Sequence, residues 1–455
     1  MRFLARACVA AVLVSTAVIG QTGQADIILF GAKVVTADAR RPIAEAVALA
    51  GDRIRAVGSI EEIRRLAGVQ TRSVNLQGAT IIPGLIDAHV HLLIAPQITD
   101  EPSLRSYERT ALPKVMTGFI SHGITTVRSV GDPLPYIVEL RDRMNHSPGG
   151  PRLVVTGPMA TAPGFHGPTG GSTVCVNNPF CHQGVVVEPQ NEEQARQAVR
   201  ELARAKVDAV KIVVDDRLPK IPRLSDSIVA ALVDEAHRSE LRAIAHMAHG
   251  MVVADISAAR RLIELGLDEF VHPPFFGATA EPVPDEVSQM ANMLNARKVP
   301  VTTTVSYFDA YKHTSGTEQA ANGGPYTPVR RQTFERLLRI LQFFVDAKVR
   351  LVVGTDWHER PLNADDPRLM AGARTLHEME ILRRAGLTTT DILTAATRNG
   401  AEALGIADKL GTIADGKIAD LVILNGDFLQ DFSALYRPIA VLKEGRLVHG
   451  TLPER

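Results

Sequence analysis

The sequence predicts an α/β fold: a (β/α)8 TIM barrel of about 300 residues, with a small composite β-sandwich domain formed from both termini. Three observations predict it. Eight short apolar runs alternate with longer helical patterns, polar residues able to carry chemistry fall near the ends of those runs, and β-rich segments that break the rhythm occur at both ends of the chain. A doubly wound open sheet is the alternative that the same alternation allows.

Taken in order, the first 25 residues differ from the rest. MRFLAR is a short positive stretch, Ala7 to Gly20 is nearly all apolar or small, and Gly23 and Ala25 stand at −3 and −1 of a cleavage point before Asp26. That is the layout of a secretory signal peptide (1–25), with an apolar run too short for a full span; an uncleaved anchor is the alternative. A secreted or periplasmic protein with no stable span after signal removal is expected. Residues 26–80 contain DIILFGAKVV and AVALAGDRIRAVG with Gly-Asp turn signals, and 409–455 resume the style in GTIADGKIADLVILNGD and IAVLKEGRLVHG. These flanks are expected to form the β-sandwich.

Between them, 81–408 is expected to be the barrel. Its strand candidates are IIPGLIDAHVH, ITTVRSVG, PRLVVTG, VDAVKIVV, RAIAHMA, EFVHP, VPVTTTV and VRLVVGTD. The segment Glu192–Lys206 places Ala195, Val199, Leu202 and Ala203 on one helical face, and Asn191 with Gln194 resembles a capping box. Similar amphipathic stretches lie near 225–240, 253–266, 284–298, 330–348 and 370–386.

Composition narrows the function. The 455 residues are 45% hydrophobic and 22% charged with a formal net charge of zero, so neither a basic block nor an acidic tail points to nucleic acid or a charged membrane surface. Beyond Cys8 in the leader, only Cys175 and Cys181 remain. They lie close enough to bridge in an oxidising compartment, and such a short loop would constrain the unfolded chain by roughly 2 kcal/mol. A disulfide pinning a loop is expected.

His89 and His91 sit two apart on the first barrel strand, so both imidazoles face one side. Alone, H-x-H on a strand is weak evidence. Asp87 reads as a structural, hydrogen-bonding residue. Lys211 then interrupts an apolar strand, His246 and His272 end the next two, and Asp356 ends the last. The intervals correspond to three, one, one and two βα units, which puts each residue near a strand's C-terminal end, where barrel enzymes keep their chemistry. Singly, Lys211 could reach toward Asp215 or Asp216, the histidines could be core residues, and Asp356 could be a cap. Yet a bare ammonium in a barrel mouth is costly to desolvate and repels divalent metals.

On these residues the chain resembles the amidohydrolase superfamily, in particular the imidazolonepropionase-like branch with its prolidase-type dipeptidases. PGLIDAHVHL, TTVR, VKI and GTD carry the resemblance in order, followed by HEMEILRRAGLTTTDILTAATRNGAEALG, LGTIADGKIADLVIL and VLKEGRLV. The resemblance implies that His89, His91 and Asp356 bind the more buried of two divalent ions, zinc by ligand type, and that His246 and His272 bind the more exposed one. Lys211 would be carboxylated on its amine and bridge the two. Relatives often show H-A-H on the fifth strand, where this chain has His246-Met-Ala-His249; His246 is assigned to metal and His249 to the substrate side. Relatives also often carry Gly-Gly-His after the third strand, and the nearest match here is GFHGPTGG around His166.

The implied chemistry is hydrolysis of an amide-type C–N bond by a hydroxide bridging the metals, with Asp356 as catalytic base and then acid. The expected partner is a small molecule, a dipeptide or N-acyl amino acid, with a cyclic amide or lactone open. His166, His249, Tyr307 and Arg128 are the candidate substrate contacts, although an Arg at a strand end is as often an ion-pair partner. His313, His358 and His377 read as surface or structural. A mononuclear deaminase on the same fold and a non-catalytic binding protein are the competing classes; the first would typically lack Lys211. The sequence leaves homo-oligomer formation open.

Overall fold

A computed structural model describes residues 23–147, 149–164, 179–214, 223–247, 256–274, 284–309, 328–359 and 370–453. The leader up to residue 22, His166, His249, Cys175 and the side chain of Cys181 lie outside the described residues.

The chain opens with strands Ile27–Val35 (β1), Ile43–Ala50 (β2), Arg53–Gly58 (β3), Arg72–Asn75 (β4) and Ala79–Pro83 (β5). The barrel strands follow: Leu85–His91 (β6), Ile124–Ser129 (β7), Arg152–Val155 (β8), Met159–Ala160 (β9), Val186–Val187 (β10), Ala209–Val214 (β11), Arg242–Met247 (β12), Glu269–Val271 (β13), Val301–Thr302 (β14), Leu351–Val352 (β15) and Trp357–His358 (β16). Leu421–Asn425 (β17), Pro438–Lys443 (β18) and Arg446–Gly450 (β19) end the chain.

Strands from both termini share one sheet, in the order β19-β18-β17-β5-β1-β2-β3, with β4 on β1. The joint is β5, parallel to β1 (Val34↔Ile81) and antiparallel to β17 (Ile81↔Ile423, Pro83↔Leu421). Side-chain alternation divides its apolar residues between two cores. Ile81, Leu421 and Ile423 pack with Leu29, Val34 and Val47 inside the terminal β domain. Ile82, Val422 and Leu424 turn the other way and join the barrel's core.

The run IIPGLIDAHVH, read as one strand, is two. Pro83 ends the terminal sheet and Leu85 begins the barrel. Gly84 makes the crossing: its N–H donates to Asp420 O, and a Cβ there would stand 2.1 Å from Thr125 Oγ1. Only a residue without a side chain lets the backbone pass so close.

In the barrel β6, β7 and β8 pair in parallel, as do β9, β11, β12, β13, β14 and β15 in turn. The third strand is interrupted, pairing with the second through β8 and with the fourth through β9. The ring closes where Ala88 N donates to Val353 O and β16 runs parallel to β6 (Trp357↔Val90). That closure decides for the barrel over an open sheet. All eight expected strands are present, and the helices follow the expected order. In Glu192–Arg204, Asn191 accepts from Gln194 N at 3.0 Å, while Gln194 reaches back to Gln190 N, one residue before the cap. Ala195, Val199 and Leu202 form its buried face, each larger side chain contributing roughly 1.5–3 kcal/mol. Among the described residues, no helix is long and apolar enough to cross a membrane.

Candidate metal centre

The site is built from the C-terminal ends of the first and of the fourth to eighth strands. On β6 the period of two puts Asp87, His89 and His91 on one face, all buried. The eighth strand reaches them through Gly354, where a Cβ would lie 2.4 Å from Thr302 Cγ2 and 3.0 Å from His89 Cβ. Beyond it, Asp356 N donates to His89 O at 2.8 Å. Its carboxylate oxygen Oδ1 lies 2.9 Å from His91 Nε2 and 3.3 Å from His89 Nε2. Asp356 Oδ2 has no hydrogen-bond partner among the described residues. Burial works to raise the Asp356 pKa, but the imidazoles around it, His89 and His91 first, hold it well below the usual carboxylate value.

His272 ends the sixth strand, its Nδ1 2.7 Å from Thr304 Oγ1 and its ring centre 4.7 Å from that of His89. His246 stands beside it, ring centres 4.9 Å apart. His89, His272 and Asp356 each offer a ligand atom within 4.8 Å of the others. Backbone strain marks the same place: His272, Thr304 and Asp356 have φ of 130°, 49° and 53°. Such conformations cost about 1–3 kcal/mol each and collect at functional sites.

The donor set fits a divalent cation. His91 Nδ1 faces Val130 O at 2.6 Å, and a carbonyl can only accept, so Nδ1 carries the proton. His91 Nε2 then lies 2.9 Å from Asp356 Oδ1, a separation that a shared proton or a cation satisfies. His89 Nδ1 is buried without a hydrogen-bond partner. Burial, and then the charge of Lys211, hold His89 well below its ordinary pKa, which keeps it neutral, as a ligand must be.

Lys211 on β11 is 1% exposed, and burial pushes its amine down to about 7 against the pull of Asp356. Among the candidate substrate contacts, Tyr307 lies at the barrel mouth, its ring stacked on His358 with centres 6.3 Å apart. His358, read as surface or structural, is half-buried with its ring 6.1 Å from that of His91, so it adjoins the metal-binding residues. Arg128 is buried and paired with Glu269. Its Nε donates to Ala88 O and its Nη1 to Glu269 Oε2, both at 2.8 Å, and Nη2 pairs with Glu269 Oε1, so the whole fork is spent inside the barrel. His377 pairs with Asp309 at 2.8 Å. Glu269, Thr304 and His358 were not legible as site residues. The only local signal was polar character at a strand end, and their partners lie far away in sequence.

A model of the amidohydrolase family matches residues 80–265 and 338–448. The N-substituted formamide deformylase of Arthrobacter pascens is 35% identical over 95 residues, 21% of this chain and 18% of that one. This chain thus spans less than a fifth of the deformylase's length. The imidazolonepropionase of Geobacillus kaustophilus is 24% identical over 409 residues, 82% of this chain and 81% of that one. Two solved structures share the fold. A prolidase complexed with N-methylphosphonate-L-proline has a TM-score of 0.73 at 24% identity, covering 93% of this chain and 100% of that one. A Xaa-Pro dipeptidase with bound methionine has a TM-score of 0.71 at 21% identity, with the same coverage.

Proposed function

The chain belongs to the amidohydrolase family, and from that premise we propose that it hydrolyses an amide-type C–N bond at a centre of two divalent ions of the zinc type. The observation that carries this reading is the convergence of His89, His272 and Asp356, with His91 Nε2 2.9 Å from Asp356 Oδ1. His89, His91 and Asp356 would hold the inner ion, His246 and His272 the outer one, and carboxylated Lys211 would lie between. The metal supplies Lewis acidity and a water deprotonated near neutral pH.

The chain's own residues supply the rest. With its amine pushed down to about 7, Lys211 is substantially neutral at neutral pH, the form that adds CO2. The product is a carbamate plus a released proton, an anion where an ammonium would repel the metals. Asp356 Oδ1 is oriented by the two imidazoles of β6, which leaves Oδ2 to take a proton from the attacking water. The same oxygen returns it to the nitrogen as the C–N bond breaks. A dipeptide or N-acyl amino acid is the substrate class favoured, with support from the prolidase likeness and the exported character of the leader. The protein acts in the periplasm or outside the cell.

Metal content per chain of the mature protein, with Lys211→Ala alongside, tests the reading. About two ions in the parent and a marked loss in the variant are expected, with hydrolysis of a dipeptide, N-acyl amino acid and lactone panel falling in step. One ion in both would remove Lys211 from the site and favour a mononuclear deaminase. No metal and no turnover of any panel member would leave a binding protein.

A further inference from the structure

One buried cation at the barrel mouth has no role in the chemistry above. Helix Ala373–Arg384 follows the eighth strand, so its first turn stands at the same end of the barrel as the metal-binding residues. One face of it meets the segment after the seventh strand. Glu378 accepts from Val305 N and Ser306 N at 2.9 and 2.6 Å, and His377 is paired with Asp309. Arg374, one turn before Glu378, lies over the ring of Tyr307 at 5.7 Å. Tyr307 in turn stacks on His358, which adjoins His91. Aromatic and imidazole rings thus connect Arg374 to the metal centre.

Arg374 is 3% exposed, yet its Nε and Nη2 have no hydrogen-bond partner among the described residues. A guanidinium cannot escape burial by losing its proton, as Lys211 can. The two orphaned donors are the pair along one edge of the fork, with the spacing that matches both oxygens of a carboxylate. Tyr307 lies against the flat face of the fork, so it makes no use of the donors along that edge. Of the two carboxylates that this helix face meets, Glu378 accepts from two backbone N–H groups and Asp309 Oδ2 pairs with His377. Arg128, the cation that the sequence offered for this task, is consumed by Glu269.

We propose that the Nε–Nη2 edge of Arg374 is the seat of a substrate carboxylate. The substrate is then an amide with a free carboxylate, a peptide with an open C-terminus or an N-acyl amino acid. This deepens the hydrolase reading and rests on it for the reacting bond, but the seat itself is a binding property.

Calorimetry on the metal-loaded full chain would compare N-acetyl-proline, N-acetyl-leucine, N-acetyl-phenylalanine and N-acetyl-lysine with their C-terminal amides. The parent should bind at least one free acid about tenfold or more tighter than its amide. Arg374→Met should abolish that preference with metal content and Tm unchanged, and Arg374→Lys, which keeps the charge but not the edge, should retain only part of it. Full preference in either variant would place the carboxylate elsewhere, on the metals for instance, and overturn the proposal. A parent that prefers no acid overturns it too, whether or not Arg374→Met folds. Arg374-dependent binding without metal or turnover would sink the hydrolase reading and leave the seat standing.

Discussion

Arg128→Met separates a structural cation from a substrate contact. Arg128 is 1% exposed and Glu269 0%, joined through both terminal guanidinium nitrogens, with Nε on Ala88 O. Methionine keeps the length of the stem, so the loss is chiefly electrostatic. Glu269 would be left in the barrel interior with Thr302 Oγ1. Breaking a buried pair in this way costs about 3–5 kcal/mol, because the surviving charge has lost its compensation. Against a total stability of about 5–15 kcal/mol, that is a large fraction. Denaturant melts of parent and variant read it directly, and Tm should fall by roughly 3–6 °C. Arg128→Met with Glu269→Leu should recover most of the loss, since a pair removed together leaves no orphan charge. KM of the folded variant should stay at the parental value. A loss below about 1 kcal/mol, or a raised KM with stability intact, would refute the reasoning and return Arg128 to the substrate.

Two further outcomes follow from the same geometry. Gly354→Ala places a Cβ 2.4 Å from Thr302 Cγ2 and 3.1 Å from His89 N, so the seventh or first strand must yield, at about 1–3 kcal/mol. Metal content should drop with far-UV circular dichroism retained; parental metal content would show that the strands absorb the methyl. Asp87→Asn addresses pH. Burial pushes the Asp87 carboxyl up to about 7 against hydrogen bonds from Thr375, Thr355 and His89 N, whereas an unfolded aspartate titrates near 3.9. Between those values the native state holds a proton that the unfolded state has lost, so this group's contribution falls as pH rises, by about 4 kcal/mol in full. In metal-free protein, urea stability of Asp87→Asn relative to the parent should therefore improve from pH 5 to pH 8. Parallel pH profiles would dismiss a protonated Asp87.

The barrel was legible because its signals are local. Each strand is a short apolar run, each helix a 3.6-residue stripe, and the polar residues at strand ends stand out against both. The metal-binding candidates shared that visibility, since His89, His91, His246, His272 and Asp356 each interrupt or end an apolar run. What sequence could not show depends on distant partners. Arg128 meets Glu269 across 141 residues, and nothing beside either names the other. Arg374 reads as an ordinary helical arginine, and its orphaned donors show only once the fold has buried it. The break at Gly84 follows from its closeness to Thr125, a neighbour on the next strand.

Strain at the strand ends explains why the site is held by backbone as well as by side chains. His272, Thr304 and Asp356 take positive φ at the ends of three consecutive strands, and for a β-branched residue such as Thr304 this is a genuine outlier. Each turn directs a peptide N–H or a side chain across to a neighbouring strand. Thr304 N donates to Gly354 O at 3.1 Å, and Asp356 N to His89 O, while Thr304 Oγ1 fixes the ring of His272. The sixth strand's histidine is thus set by the seventh, the seventh is tied to the eighth, and the eighth to the first. These hydrogen bonds, made in a dry interior where an unmade one costs about 1–3 kcal/mol, offset the strain. The imidazoles and carboxylate are thus held by the backbone of four strands as well as by their own contacts. In that arrangement His91 Nε2 and Asp356 Oδ1 oppose each other at 2.9 Å as two acceptors, a contact that only a proton or a metal ion turns favourable.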